Sequence, residues 1–248
     1  MNEKLSVSKI AIYETDEQFD FYSRGGALFV NGQKPWSNKP YGAEARMPNS
    51  IAVHKYAAQN GMLILGSVDR HFYEDAELIR NEGGIFDDHC MNGTQGQLRH
   101  PELEPQKDIY LNRKQGSHQD IRVYDEAELK KFISSGMHLI FEKQSYDVNT
   151  NPNFQNTMKL LMENGLEKIA FKGFATDYCI PAALLATAKY RDMYNPGLEI
   201  YLINDAIEEV NIDFEGKIDM DFGKKAIEKM VQAGAKEITT KQVLEGRL

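Results

Sequence analysis

Residues 168–191, KIAFKGFATDYCIPAALLATAKYR, decide the fold. Ile169-Ala170-Phe171 is short and apolar, the pattern of a buried strand. Gly173 to Asp177 reads as a tight turn, and Ile180 to Tyr190 as a helix. Thr176 and Asp177 are both helix-capping types, and Pro181 fits because a first helical turn has no use for its missing N–H. Cys179 therefore stands at a helix N-terminus just beyond a strand end. Unpaired backbone N–H groups and the positive end of the helix dipole gather there, and they are expected to lower the thiol pKa and activate it as a nucleophile. The competing reading is a buried cysteine acting as a small hydrophobe.

The same alternation extends outward along the chain. Strands are expected at Ser8–Tyr13, Met62–Val68, Met137–Phe141, Leu198–Ile203 and Glu237–Thr240 as well. Helices are expected at Asn49–Gln59, Glu126–Ser135, Asn153–Asn164 and Phe222–Ala233, the first two stopped by Asn60-Gly61 and Gly136. Residues 31–49, with Gly, Pro, Asn and the single Trp36, read as a loop. Between Arg70 and about Asp125 no long periodic element is found, and a loop of that length usually carries function or short helices of its own. Short apolar strands alternating with helices imply one α/β domain over residues 1–248, with a mainly parallel sheet covered on both faces. No GxGxxG turn follows the first strand, which argues against dinucleotide binding.

Composition narrows the class further. A chain of 248 residues, 42% hydrophobic and 27% charged, can build one substantial core. A net charge of −8 and a pI near 5.3, with no basic cluster, argue against nucleic acid as a partner. The first residues, MNEKLSVSKI, lack the apolar core of a signal peptide, and no apolar run reaches membrane-spanning length. Cys90 and Cys179 are the only cysteines, too few for a disulfide framework. A cytoplasmic enzyme without membrane partners is expected.

In an open parallel sheet, ligands bind beyond the carboxyl ends of the strands. Asp16, Asp69, Lys143 and Cys179 all follow apolar runs in this way. Singly, Asp16 could be a turn former and Lys143 a solvated surface residue; together they compose one reactive site. Lys143 would stabilise a Cys179 thiolate by its charge, while Asp16 would take the thiol proton and pass it to an amine leaving group. The N–H groups of Ala175 and Cys179 would face a developing oxyanion, provided the turn points them inward. That chemistry is acyl transfer through a thioester.

A second constellation lies in the long loop. Asp69, His71 and His89 are borderline ligands suited to one divalent ion of zinc, iron or manganese, with Glu77, Glu74 and Asp75 as candidates for a fourth position. His54, His100, His118 and His138 have no such grouping, and Cys90 beside His89 reads as structural.

These segments together resemble the nicotinamidase branch of the isochorismatase-like cysteine hydrolases. Asp16-Glu17-Gln18-Phe19-Asp20-Phe21 followed by Gly25-Gly26-Ala27-Leu28 is similar to that family's opening D-x-Q-x-D-F…GG-[AS]-L. Asp69-x-His71 and His89-Cys90-x-x-Gly93-Thr94-x-Gly96 resemble its metal and H-C-x-x-G-T-x-G segments, and Gly173 to Cys179 its nucleophile turn. The resemblance implies a three-layer α/β/α fold around a six-stranded sheet, with a triad of Asp16, Lys143 and Cys179. It also implies a cis peptide at Phe174-Ala175 forming the oxyanion hole. The implied reaction is metal-assisted hydrolysis of nicotinamide to nicotinate and ammonia. Phe21 and Phe86 would sandwich the flat ring, Phe86 standing where that family commonly has Trp. Glu77 stands where many members carry a third metal histidine. The stretches 31–48 and 97–120 are longer than a minimal member needs. They bear on specificity and on oligomeric state, a homo-oligomer being one outcome, more than on chemistry. A metal-free amidase acting on a carbamoyl or ureido substrate and a non-catalytic binding domain are the alternatives.

Overall fold

A computed structural model describes residues 5, 7–38, 40–103, 107–111 and 122–248. Seven strands make one sheet: β1 (Ile10–Thr15), β2 (Leu63–Asp69), β3 (Asp108–Leu111), β4 (His138–Lys143), β5 (Lys168–Phe174), β6 (Glu199–Glu208) and β7 (Ala235–Ile238). Their order is β3-β4-β2-β1-β5-β6-β7, and every neighbouring pair is parallel. The expectation of six strands is thus corrected to seven. The additional strand, β3, lies inside the stretch read as a long loop. It has four residues, sits on the sheet edge beside β4 and buries only Leu111 fully, so it leaves no periodic signature.

Seven helices accompany the sheet among the described residues: α1 (Phe19–Tyr22), α2 (Ala43–Gln59), α3 (Glu126–Ser134), α4 (Pro152–Glu163), α5 (Cys179–Tyr194), α6 (Phe222–Gln232) and α7 (Thr240–Leu244). Strand side chains alternate between two apolar cores. Ala11, Tyr13, Ile169 and Phe171 enter one with Phe154 of α4 and Leu184 of α5. Ile12, Ala170 and Ile64 enter the other with Val53 of α2 and Val243 of α7. None of the helices is long and apolar enough to cross a membrane, among the described residues.

Two local expectations change. Helix α2 starts at Ala43 rather than near Asn49, with Pro48 inside it. Ala43 to Met47 are good helix formers, and burial of Ala43 and Met47 beside Phe21 and Val30 outweighs the one N–H that Pro48 lacks. Helix α5 is preceded by Tyr178 as its N-cap, not Thr176 or Asp177, and has no side-chain cap. The Asp177 carboxylate instead accepts hydrogen bonds from Val210 N and Asn211 N on the segment after β6.

The chain order reverses between β1 and β5, which opens a crevice at their carboxyl ends. Gly173, at φ 108°, lies so close to β1 that a Cβ there would overlap the Thr15 carbonyl. Only glycine permits that approach, and it brings the turn before Cys179 against Asp16.

On the α2 face, the register pairs Glu14 of β1 with Lys172 of β5, and both are buried. Lys172 Nζ lies 3.1 Å from Glu14 and 2.6 Å from Glu17, and Glu14 also binds His54 Nδ1 at 2.8 Å. Arg99, reaching in from the long loop, joins Glu14 to Asp108 of β3, and Asp108 meets His138 Nδ1 at 3.1 Å. Burial alone would raise the Glu14 pKa, but Lys172, His54 and Arg99 overrule it and hold the carboxyl well below its ordinary range. Arg99→Leu removes one cation from two buried carboxylates, so it should cost about 3–5 kcal/mol of unfolding free energy in urea titrations. A depressed carboxyl contributes its full stability above its ordinary pKa of 4.5 and loses it as pH falls below that value. The wild type should therefore lose stability on acidification more steeply than Arg99→Leu.

Candidate active site and metal cluster

The four strand-end residues meet. Asp16 follows β1 with φ 47°; its backbone N–H donates to Ser67 O at 3.0 Å, and its Oδ1 accepts from Ser67 Oγ at 2.8 Å. Lys143 ends β4, and the β2–β4 register sets it beside Asp69. Its Nζ is 2.9 Å from Asp16 Oδ2, hydrogen-bonded to Asp69 Oδ1 and 3.7 Å from Cys179 Sγ. All four residues are buried.

Their electrostatics are set by burial and by one another. Desolvation raises the Asp16 pKa, with Asp69 adding to the rise and Lys143 opposing it. Burial also opposes ionisation of Asp69, but Lys143 and the hydrogen bond to His89 hold that carboxyl well below its usual range. Lys143 keeps its proton: burial works against the charge, and Asp16 and Asp69 outweigh it. The thiol departs from expectation. Burial pushes Cys179 well above the ordinary value despite Lys143, and the nearby Asp16 and Asp69 charges add to the rise. Desolvation here exceeds what a helix N-terminus supplies, so the resting group is a thiol beside the Asp16 carboxyl.

Phe174-Ala175 is a cis peptide bond. Among the described residues, the N–H groups of Ala175 and Cys179 donate to no protein group, while Ala175 O accepts from Ile180 N at 3.1 Å.

Asp69, His71 and His89 bring one ligand atom each within 4.8 Å of one another. His89 Nε2 is 3.7 Å from Asp69 Oδ2, and His71 Nε2 is 3.6 Å from Glu77 Oε2. His71 Nε2 and Glu77 Oε2 are buried without any hydrogen-bond partner. Buried polar atoms left unpaired are costly, and a cation between these imidazoles and carboxylates removes that cost. The donor set fits a divalent ion. Of the three further ligand candidates, only Glu77 points into the cluster. Asp75 takes His71 Nδ1 at 3.1 Å and Phe72 N at 2.9 Å, which orients the imidazole, and Glu74 is exposed. His89 is fixed likewise, its Nδ1 2.7 Å from Asp87 O.

A partly open pocket leads to Cys179. Phe21 and Phe86 line it, together with Asp69, Glu77, His89, Ala175, Leu28, Val30, Tyr146, Tyr178 and Val210. Val30, Tyr146 and Val210 carry no sequence signal, since ordinary apolar residues and tyrosines gain a role only from where the fold sets them, and Leu28 and Tyr178 show in the sequence only as letters of motifs. Ser67 gives no signal either, and Asp75 reads in the sequence as a ligand candidate rather than as the group that orients His71. Gln18 and Asp20, which the sequence shows only as motif letters, are braces. Gln18 Nε2 donates to Asp69 O at 2.7 Å, and Asp69 N donates to Gln18 Oε1 at 2.6 Å. Asp20 accepts from Ala27 N at 2.9 Å and Cys90 N at 2.7 Å, and it fills the space where a Gly96 side chain would be. Cys90 is buried outside the pocket lining, and burial raises its pKa far above the ordinary value. His54 and His138 belong to the Arg99 network, His100 stacks edge-on with Tyr22, and His118 lies outside the described residues.

Comparison with known proteins agrees with this architecture. The isochorismatase domain model matches residues 119–242, half of the chain. The chain belongs to the isochorismatase domain family. A nicotinamidase of Acinetobacter baylyi (strain ATCC 33305 / BD413 / ADP1) is 25% identical over 160 residues; the match covers 64% of this chain and 59% of that relative's length. The fold superposes on the pyrazinamidase of Pyrococcus horikoshii in complex with zinc with a TM-score of 0.61 at 20% identity, covering 93% of this chain and 99% of the other. It also superposes on the N-carbamoylsarcosine amidase of Thermoplasma acidophilum with a TM-score of 0.56 at 19% identity, covering 94% and 96%.

Partners that orient a metal-binding imidazole tune affinity strongly. Asp75→Ala should weaken zinc binding about 10–100-fold in competition titrations with a chromophoric chelator, whereas Glu74→Ala should leave it unchanged.

Proposed function

We propose that this chain is a metal-containing amidohydrolase that converts nicotinamide to nicotinate and ammonia through a thioester on Cys179. The observation that carries the reading is the position of Lys143 Nζ, 2.9 Å from Asp16 and 3.7 Å from Cys179, beneath an aromatic pocket walled on one side by the Asp69, His71 and His89 cluster. The A. baylyi relative's name, nicotinamidase, and the zinc bound by the P. horikoshii pyrazinamidase support the substrate class and the metal.

Asp16 takes the Cys179 proton, and Lys143 balances the charge that then spreads over carboxyl and sulfur. The thiolate attacks the amide carbon, forming the C–S bond, and the oxyanion is received by the N–H groups of Ala175 and Cys179. Asp16 returns its proton to the nitrogen, the C–N bond breaks and ammonia leaves a thioester. Water, deprotonated by Asp16, then attacks the thioester, and nicotinate departs as the thiol is restored. Phe21 and Phe86 hold the flat ring within the pocket. Asp69, His71, His89 and Glu77 would hold the divalent ion, and the chemistry it would supply is that of a borderline Lewis acid for which the pyridine nitrogen is a suitable donor. The orphaned His71 Nε2 and Glu77 Oε2 weigh against the metal-free amidase alternative.

Cys179→Ala should reduce ammonia release by about four orders of magnitude or more, while Cys90→Ala keeps most of it. Equal losses in two folded variants would show that the nucleophile is wrongly assigned. Benzamide keeps the ring and the amide but lacks the ring nitrogen, so its kcat/KM should be lower by about 100-fold or more. Chelation or His71→Ala should narrow that gap by harming nicotinamide most. Near-equal turnover of both amides by the zinc-loaded protein would sink the anchoring role.

A further inference from the structure

The segment 209–221 joins β6 to α6 and contributes Val210 to the pocket wall. It is fastened by the two residues that precede Cys179. Val210 N donates to the Asp177 carboxylate at 3.0 and 3.1 Å, and Asn211 N donates to it at 2.7 Å. Tyr178 Oη donates to Ile212 O at 2.5 Å. Asn211, buried at φ 57°, donates from Nδ2 to Gly32 O at 3.2 Å and accepts at Oδ1 from Gly223 N at 3.1 Å. That ties the segment to residues 31–48 and to the start of α6.

An antiparallel bridge between Ile212 and Ile218 closes a small hairpin around Phe214. The Phe214 ring is 5.1 Å from Tyr178, 5.8 Å from Tyr146 and 5.9 Å from Phe222. Phe214 is 50% exposed and lines no part of the pocket; it stands behind the two tyrosines that do. Asp177 forms no ion pair among the described residues, and burial pushes its pKa up to about 6. A buried carboxylate that takes two successive backbone N–H groups of one segment marks that attachment as specific.

We infer that residues 209–221 support the specificity wall of the pocket, supplying Val210 to it, with Asp177 and Tyr178 as positioning residues and Phe214 bracing Tyr178 and Tyr146 so that only a narrow, single-ring group reaches Cys179. The substrate consequence rests on the amidohydrolase reading; the wall itself does not. With Phe214 shortened, both tyrosines gain room to swing outward and the pocket admits wider groups.

The test uses the full chain and reads Cys179 alkylation by mass spectrometry, with deeply buried Cys90 as internal control. Iodoacetamide is the narrow probe and N-phenylmaleimide the wide one. Phe214→Ala should raise the wide-probe rate by about 10-fold or more and change the narrow-probe rate by less than about threefold. Nicotinamide KM should rise about 10-fold with kcat within about twofold, as expected when binding rather than chemistry is touched. Asp177→Ala should speed hydrogen exchange at Val210 and Asn211 without speeding it in the central strands. An unchanged ratio of probe rates in Phe214→Ala, or unchanged exchange in Asp177→Ala, overturns the wall. Altered probe rates in a protein that releases no ammonia from nicotinamide keep the wall and overturn the proposed reaction.

Discussion

Lys143 places one buried ammonium between the carboxylates of Asp16 and Asp69, and the remainder of the site depends on that arrangement. Two carboxylates this close, out of water, repel one another and resist ionisation. The ammonium separates their behaviour: Asp69 is held ionised, while the Asp16 pKa rises through burial and through the neighbouring Asp69 charge. The placement is a product of sheet register, since Asp69 and Lys143 are paired across β2 and β4. Asp16 reaches the same point by leaving β1 in a left-handed conformation.

Asp69 links the two halves of the site. Its Oδ1 meets Lys143, while Oδ2 faces His89, so the Asp16–Lys143–Cys179 cluster and the His71–His89 cluster share one carboxylate. Gln18 holds that residue by its backbone at both N and O, and Asp20 holds the loop that carries His89 through Cys90 N. The long loop returns to pair with the start of α1, where Phe19 N meets Leu98 O at 2.9 Å and His100 N meets Glu17 O at 3.0 Å. Arg99 is thereby delivered into the buried charge network below. The opening motif therefore combines one carboxylate beside Cys179, Asp16, with two braces and one pocket ring, Phe21.

The apolar lining of the pocket is assembled from distant parts of the chain. Leu28 and Val30 come from the region after α1, Tyr146 from the turn after β4, Tyr178 from the turn before α5 and Val210 from the segment after β6. Each is an ordinary apolar or aromatic residue in sequence. Their convergence gives the pocket a largely apolar lining suited to a flat, uncharged group.

What the sequence determined by itself is local: apolar runs for the central strands, a glycine turn before Cys179, and polar or reactive residues where those runs stop. Strand periodicity has a span of a few residues, so it is legible without knowing neighbours, and a parallel sheet then forces the strand ends together. Asp16, Asp69, Lys143 and Cys179 could be named on that basis, His71 and His89 as borderline metal ligands grouped in the long loop, and their motifs resembled a known family. The tertiary structure decided the rest. Edge strand β3 forms because β4 is beside it, and Glu77 faces His71 while Asp75 turns to the far side of the imidazole. Cys179 loses the low pKa that its helix position suggests, because the fold removes the water that would solvate a thiolate. Burial and facing are properties of packed surfaces, and no run of consecutive residues contains them.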